Sequence, residues 1–125
     1  MVGGGQGAFI GAVHRFAAAL DGEIELVCGA FSSSPEKAVA SGKELGIEDH
    51  RNYTSYQDMF EKEQLLSDAE RMDFVAIVTP NHMHFPVACA ALTAGFHVIS
   101  DKPATLNLEE ALQLSKLVKK TNLLF

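Results

Sequence analysis

The segment that opens the chain is rich in glycine, with five glycines between Gly3 and Gly11. It follows two apolar residues and precedes a run with helical spacing, which indicates a strand-to-helix turn. Amide N–H groups at a helix N-terminus point outward, and the helix dipole favours negative charge there. The spacing Gly3-x-Gly5-x-x-Ala8 fits the G-x-G-x-x-G/A pattern of dinucleotide-binding turns, whereas no Gly-Lys-Ser/Thr follows to make a P-loop. We therefore expect a dinucleotide at the turn formed by Gly3, Gly5, Gln6, Gly7 and Ala8; a bare turn without a ligand is the alternative.

A second candidate segment stands where the adenosine ribose of a dinucleotide would bind, at the end of the second predicted strand. An acidic residue commonly holds that ribose, but the sequence there runs Phe31-Ser32-Ser33-Ser34-Pro35 without one. In its absence Ser32, Ser33 and Lys37 can bind a 2′-phosphate. The serines can equally cap the next helix while NAD binds. The sequence thus leaves NAD and NADP open.

A third segment, Thr79-Pro80-Asn81-His82-Met83-His84, follows a continuous apolar run. Ligands of open α/β sheets bind beyond the carboxyl ends of the strands. Asn81 can cap the helix that follows, and one of the two histidines, with His84 favoured, is expected at the cofactor crevice; otherwise both are surface residues. A metal site is not expected, because side chains two residues apart do not share a helix face.

The fourth segment is Asp101-Lys102-Pro103, directly after another apolar run. A charged pair at this position lies at the rim of the same predicted crevice. Lys102 can bind a ribose or substrate hydroxyl, or take part in a proton relay if its pKa is lowered. An ordinary solvated loop is the alternative.

The elements that must position these segments alternate along the chain. Apolar runs predict strands at Glu23–Ala30, Phe74–Thr79 and His97–Ser100, and helical spacing predicts helices at Phe9–Leu20, Pro35–Leu45, Ser55–Leu66, His82–Thr93 and Asn107–Lys120. Strands that are apolar on both faces are typical of parallel sheets. The alternation predicts an α/β fold, a doubly wound parallel sheet of the Rossmann type with helices on both faces.

Local signals mark several helix ends. Thr54 is the expected N-cap of the third helix, and Asn107 with Glu110 has the spacing of a capping box. Gly46 and Gly95 are placed to end the second and fourth helices.

Composition limits the class of protein. A chain of 125 residues that is 47% hydrophobic is expected to form one globular domain. The net charge of −6 and the lack of a basic tract argue against a nucleic-acid partner. Cys28 and Cys89 lie in apolar segments, so we expect buried, reduced thiols. No apolar stretch has the length of a membrane span and no secretory signal is present, so a cytoplasmic location is expected.

Both termini resemble strands that are cut short. Met1-Val2 is shorter than a typical first strand, and Leu123-Leu124-Phe125 reads as the beginning of another. We therefore expect residues 1–125 to be a dinucleotide-binding domain whose substrate domain lies beyond Phe125.

Taken together, GGGQGAFIGAVHR and VTPNHMHFPVACAALTAGFHVISDKP resemble the N-terminal domain of the glucose–fructose oxidoreductase/inositol dehydrogenase family, Gfo/Idh/MocA. The T-P-N-x-x-H block followed by A-G-x-H-V-x-x-[E/D]-K-P is the specific part. The resemblance implies contacts to the pyrophosphate from Gly3, Gly5, Gly7 and Ala8, to the adenosine ribose from Ser32, and along the nicotinamide from Thr79, Pro80, Asn81 and His84. It places Lys102 near the nicotinamide ribose and substrate hydroxyl, as the catalytic residue of this chain. Asp101, also expected to contact the cofactor, stands where glutamate is usual. The glycine loop is longer than the family's common form, so Phe9 and Ile10 are expected to cover the cofactor in an unusual way.

The resemblance also implies an activity. Family members are NAD(P)-dependent oxidoreductases that act mostly on sugars, polyols and their derivatives, and their second domain commonly forms the oligomer interface. The expected function is hydride transfer by the full-length protein, with NAD or NADP, a small-molecule substrate and a homo-oligomer, and with no turnover from residues 1–125 alone. A non-catalytic NAD(P)-binding sensor or scaffold, and a nucleotide-sugar-binding domain, are the alternatives.

Overall fold

Helices alternate with short strands along the computed structural model, which describes all 125 residues. The elements are β1 (Val2–Gly3), α1 (Phe9–Ala18), α2 (Pro35–Glu44), α3 (Tyr56–Glu63), β2 (Phe74–Val78), α4 (His84–Thr93), β3 (His97–Ser100) and α5 (Leu108–Thr121). Single 3-10 turns occur at Asp49–Arg51 and Asn81–Met83. The chain divides into two compact units, residues 1–59 and residues 60–125.

In the first unit, the predicted strand Glu23–Ala30 is wrong over most of its length. Only isolated parallel bridges form, between Val2 and Ala30 and between Gly29 and Asn52. A strand needs a hydrogen-bonding neighbour along its length. Only the end of this stretch has such neighbours: the Gly3 amide donates to the Ala30 carbonyl at 2.9 Å, and the Tyr53 amide donates to the Gly29 carbonyl at 2.9 Å. The segment therefore pairs at its end, which is the point from which the chain enters the serine-rich turn.

The ends of the helices in the first unit are set by residues within one or two positions of each end. Pro35 occupies the first turn of α2, as predicted, and Gly46 adopts a positive φ of 74° after the helix ends. The predicted cap of α3 is wrong by one residue, because the hydroxyl of Ser55, and not that of Thr54, accepts from the Asp58 amide at 3.1 Å. Both candidates are β-hydroxyl residues, so composition alone did not separate them.

The second unit contains a parallel βαβ arrangement. β2 and β3 pair in parallel, with Phe74 opposite His97 and Ile77 opposite Ser100. Between them in sequence, α4 contacts both strands. Its buried residues are His84, Val87, Ala88, Ala91 and Leu92. This arrangement puts the residues after β2 and after β3 at one edge of the pair, because parallel strands end on the same side.

The last helix, α5, begins at the predicted capping box. The Asn107 side chain accepts from the Glu110 amide at 2.9 Å. The Glu110 carboxylate reaches back one residue further than the usual box and accepts from the Leu106 amide at 2.8 Å. Asn122 ends the helix in the left-handed region, with φ 56°. None of the helices combines the length and apolar character needed to span a membrane.

Candidate functional site

Several amides of the glycine loop are occupied within the first unit. Gly5 donates to the Phe31 carbonyl at 3.1 Å and Ala8 donates to the Gly5 carbonyl at 3.0 Å. The amide of Gln6 donates to Ser41 Oγ at 2.9 Å. These groups therefore hold the loop in shape, and a ligand would have to find other donors.

The donors without an acceptor cluster at the start of α1. The structure gives the amides of Gly7, Phe9 and Ile10 no partner. The N-cap residue Ala8 has no capping side chain, and the first turn carries no acidic residue. Exposed N–H groups and the positive end of the helix dipole at one place suit a phosphate. This donor set fits the pyrophosphate of a dinucleotide.

Two glycines are required by close packing of the loop. A Cβ on Gly5 would lie 2.8 Å from the Phe31 carbonyl oxygen, and one on Gly11 would lie 2.6 Å from the Gly4 carbonyl oxygen. Gly7 differs, because its Cβ would meet open space while its φ of +80° disfavours any side chain. The glycines thus have two separate functions, backbone packing at Gly5 and Gly11 and an unusual turn at Gly7.

A pocket of about 190 Å³ is formed beside the loop, lined by Gly4, Gly5, Gln6, Gly7, Ala8, Arg15, Ser41, Glu44 and Leu45. Arg15 Nη1 donates to the Gly4 carbonyl at 2.8 Å. Gln6 is tied to α2 twice, through its amide to Ser41 and through Nε2 to Glu44 Oε2 at 2.9 Å. Gln6 is thus a loop anchor, and its predicted contact with a cofactor remains a prediction.

Sequence reasoning missed the three side chains that shape this pocket, which are Arg15, Ser41 and Glu44. The sequence signal was weak, because Ser41 and Glu44 lie on a different helix from the loop. Arg15 offered a better signal, since it lies on α1, the helix that begins at the loop, one turn after Gly11.

The serine-rich turn before α2 forms its own hydrogen bonds. Ser32 Oγ accepts from the Ser34 amide at 3.1 Å, and Ser34 Oγ donates to Glu36 Oε2 at 2.8 Å. Bonding to its own amide and to the Ser34 hydroxyl lowers the pKa of Glu36 below its ordinary value. Ser33 and Lys37 are exposed. A carboxylate therefore stands near the predicted ribose segment, but on the second residue of α2 and four residues after Ser32.

In the second unit, Thr79, Pro80 and Asn81 follow β2 directly. The Thr79 hydroxyl oxygen is buried without a hydrogen-bond partner. Pro80 and Asn81 are exposed. Asn81 does not cap α4 as predicted: it begins a 3-10 turn, and α4 starts at His84 without a side-chain cap.

His84 is one of the most deeply buried side chains, with 1% of its surface exposed. Its Nδ1 lies 2.7 Å from the Pro103 carbonyl oxygen and its Nε2 lies 2.9 Å from the Thr79 carbonyl oxygen. Both ring nitrogens therefore face backbone acceptors. A direct contact between this ring and a cofactor, as predicted, would require the ring to leave both partners.

The loop after β3 presents Lys102 to solvent. The Asp101 amide continues the strand ladder by donating to the Ile77 carbonyl at 3.0 Å, while Asp101 Oδ1 accepts from the Lys102 amide at 3.0 Å. The Asp101 carboxylate, one methylene shorter than the glutamate usual in the family, thus binds the backbone amide of Lys102. The Lys102–Pro103 peptide bond is cis. The ammonium group of Lys102 has no hydrogen-bonding or ionic partner, so it is available to a ligand.

Neither cysteine forms a disulfide bond, and only Cys28 is buried. Cys89 is half-buried, so the prediction of two buried thiols is wrong at this position. Partial burial, and secondarily the charge of Glu110, raise the pKa of the Cys89 thiol above its ordinary value. No group of three or more metal-binding side chains occurs among the 125 residues.

Comparison with known proteins agrees with this geometry. The family model for Gfo/Idh/MocA, an oxidoreductase family with an NAD-binding Rossmann fold, matches residues 1–125. An oxidoreductase from Sinorhizobium meliloti is 51% identical with a TM-score of 0.92, over 100% of this chain and 34% of that one. An inositol dehydrogenase homolog from Azotobacter vinelandii, solved with NADH and myo-inositol, is 39% identical with a TM-score of 0.93, over 98% of this chain and 32% of that one.

A curated relative gives the same result. The uncharacterized oxidoreductase YfiI of Bacillus subtilis is 37% identical over 121 residues, which are 96% of this chain and 30% of the relative. The chain spans about a third of the length of the relatives that it matches. The α/β Rossmann fold expected from the sequence is confirmed by these structures. The chain belongs to the Gfo/Idh/MocA family of NAD-binding oxidoreductases.

Proposed function

We propose that the whole protein is an NAD(P)-dependent oxidoreductase that acts on a sugar, a polyol or a related hydroxy compound, with residues 1–125 as its cofactor-binding domain. The observation that carries this proposal is the uncapped start of α1, where the amides of Gly7, Phe9 and Ile10 have no acceptor. A neighbour at 39% identity was solved with NADH and myo-inositol, which supports both the cofactor and the polyol class.

In this proposal, the first unit binds the phosphates and the adenosine end of the cofactor. The free amides at the start of α1 donate to the pyrophosphate oxygens, and the serine-rich turn at Ser32 and Ser33 contacts the adenosine ribose. The loop shape that these contacts need is maintained by the bonds of Gln6 to α2. Because these partners are already in place, little ordering is needed when the cofactor binds.

The second unit would contact the nicotinamide half through Thr79, Pro80 and Asn81. Lys102 would donate an ammonium N–H to the substrate hydroxyl and stabilise the negative charge that develops on its oxygen while a base takes the proton, since its ammonium group is exposed and free of other partners. Bound nicotinamide would supply the hydride acceptor or donor. The chain's own residues would therefore bind and orient the cofactor and the substrate hydroxyl.

The test separates binding from chemistry. NADH fluorescence and calorimetry on the protein should show saturable binding, and the full-length protein should reduce NAD with a polyol or sugar substrate. Lys102→Ala should lower kcat about 100-fold or more, the usual contribution of a positioned acid–base group, while NADH still binds. Absence of binding to both NADH and NADPH would refute the proposal. Cofactor binding with no turnover on any polyol or sugar would favour a sensor. Full turnover by Lys102→Ala would remove the role of Lys102. Residues 1–125 alone should bind without turnover.

A further inference from the structure

The buried ring of His84 joins two loops that follow neighbouring strands. One partner is the Thr79 carbonyl, at the end of β2, and the other is the Pro103 carbonyl, immediately after Lys102. Thr79 lies five residues before His84 and Pro103 lies 19 residues after it. The ring is therefore a cross-link between the segment predicted beside the nicotinamide and the segment that bears Lys102.

Both partners of the ring are acceptors, which limits what His84 can do. A neutral imidazole has one N–H and can donate to only one carbonyl at a time, whereas the protonated ring donates to both. With 1% of its surface exposed, the ring has no face available to a ligand. Any effect of His84 on chemistry must therefore pass through the backbone groups that it holds.

The Pro103 contact is important because the loop has few other attachments. Lys102 donates its amide to Asp101, its immediate neighbour. For residues 102–104, the contact between His84 and Pro103 is the one hydrogen bond to a residue outside the loop. The backbone direction at Lys102, and with it the starting point of the ammonium-bearing side chain, depends on this contact.

We infer that His84 is a positioning residue, which fixes Lys102 by holding the Pro103 carbonyl and does not itself touch cofactor or substrate. This inference rests on the proposed function, in which Lys102 acts on the substrate hydroxyl. It replaces the expectation that His84 lies along the nicotinamide.

Two amide substitutions separate the two contacts of the ring. The amide nitrogen of His84→Asn occupies the place of Nδ1 and can still donate to Pro103, whereas that of His84→Gln occupies the place of Nε2 and can reach only Thr79. In the full-length enzyme, His84→Asn should keep kcat within about twofold, and His84→Gln should lower it about tenfold, the rate equivalent of one lost hydrogen bond. NADH affinity should be unchanged in both. His50→Asn, at an exposed histidine in the first unit, is the matched control.

A double-substitution cycle tests the route of the effect. In a Lys102→Ala background, His84→Gln should cause no further loss, because the group that it positions is gone. An undiminished tenfold loss in that background would show a general structural role and overturn the inference. If His84→Gln does not fold, a tenfold fall in kcat for His84→Asn overturns it equally.

A readout that needs no turnover keeps this test separate from that of the proposed function. Hydrogen exchange in the peptide covering residues 101–104 should be faster in His84→Gln than in His84→Asn or the unmodified protein, because only the former releases Pro103. Equal exchange in all three proteins would overturn the inference. A wild-type enzyme without turnover on either NAD or NADP would refute the proposed function, and faster exchange in His84→Gln would then still support the role of His84 in holding the loop.

Discussion

The guanidinium group of Arg15 donates Nη1–H to the Gly4 carbonyl oxygen at 2.8 Å, so α1 holds the loop from which it begins. The same nitrogen lies 3.5 Å from Met1 Sδ. Gly4 is buried, and its neighbour in the packing, Gly11, lies on the first turn of the same helix. The turn predicted to bind pyrophosphate is therefore closed by its own helix at two points.

Loss of the Arg15 contact should weaken cofactor binding. Arg15→Met keeps most of the side-chain volume but removes the donor, so the Gly4 carbonyl loses a charge-assisted bond and the loop loosens. We expect NADH affinity to fall about tenfold, the equivalent of one such bond, and Arg15→Lys to recover part of it. NADH fluorescence titration measures the change. Lys116→Met, which removes an exposed charge from α5, should have no effect; an equal loss there would show that only net charge matters.

A methyl group on Gly11 should destabilise the domain. Its Cβ would lie 2.6 Å from the Gly4 carbonyl oxygen, and backbone atoms at both ends cannot move aside. Overpacking of this kind costs about 1–3 kcal/mol, which exceeds the roughly 1 kcal/mol that alanine gains over glycine in a helix. Urea denaturation of Gly11→Ala should show the decrease. Ala12→Ser, at the exposed position next to it, should unfold close to the unmodified protein, and a stable Gly11→Ala would contradict the close packing.

The charge of Glu36 should favour NAD over NADP. The lowered pKa of this carboxyl keeps it ionised to a lower pH than an ordinary glutamate, so it carries full charge at neutral pH and loses it only in acid. Its charge stands beside the serines predicted to contact the ribose, where it opposes a 2′-phosphate. Glu36→Gln should raise NADPH affinity about two- to fivefold relative to NADH, a modest effect because the charge is exposed and screened.

Competition titrations with NADH and NADPH at low salt measure this preference. Lys37→Met is the matched opposite, because it removes the adjacent positive charge and should weaken NADPH binding. If neither substitution changes the NADPH-to-NADH ratio, the 2′ position of the ribose lies away from this turn.

The Cys89 thiol should react slowly with alkylating reagents near neutral pH. Partial burial and the Glu110 carboxylate raise its pKa, so less of the reactive thiolate is present than in a free cysteine, and the rate should rise as the pH increases. Glu110→Gln should speed the reaction, because it removes the charge but retains an oxygen to accept from the Leu106 amide. Iodoacetamide labelling followed by mass spectrometry measures both rates. The buried Cys28 should stay unlabelled in the native protein, and an unchanged rate in Glu110→Gln would remove the role of its charge.

Sequence patterns predicted the helices well where a cap or stop residue acts within a few positions. Asn107 caps α5 by accepting from the Glu110 amide, and Pro35 lies in the first turn of α2, as expected. Gly46 follows the end of α2 with a positive φ, also as expected. These signals work because a helix satisfies its hydrogen bonds within its own segment. The predicted strand Glu23–Ala30 depended on a neighbour instead, and only its end found one.

By itself, the sequence determined the family, the glycine-rich turn and the presence of Lys102 after a strand, because these are properties of residue type and spacing. Tertiary structure alone decided which groups are free to act. In the folded chain the Gln6 amide donates to Ser41, whereas the amides at the start of α1 have no acceptor. It also buried His84 between two carbonyl groups. Packing of the folded chain determines which groups from distant parts of the sequence become hydrogen-bond partners, and the spacing of residues along the sequence does not show these pairs.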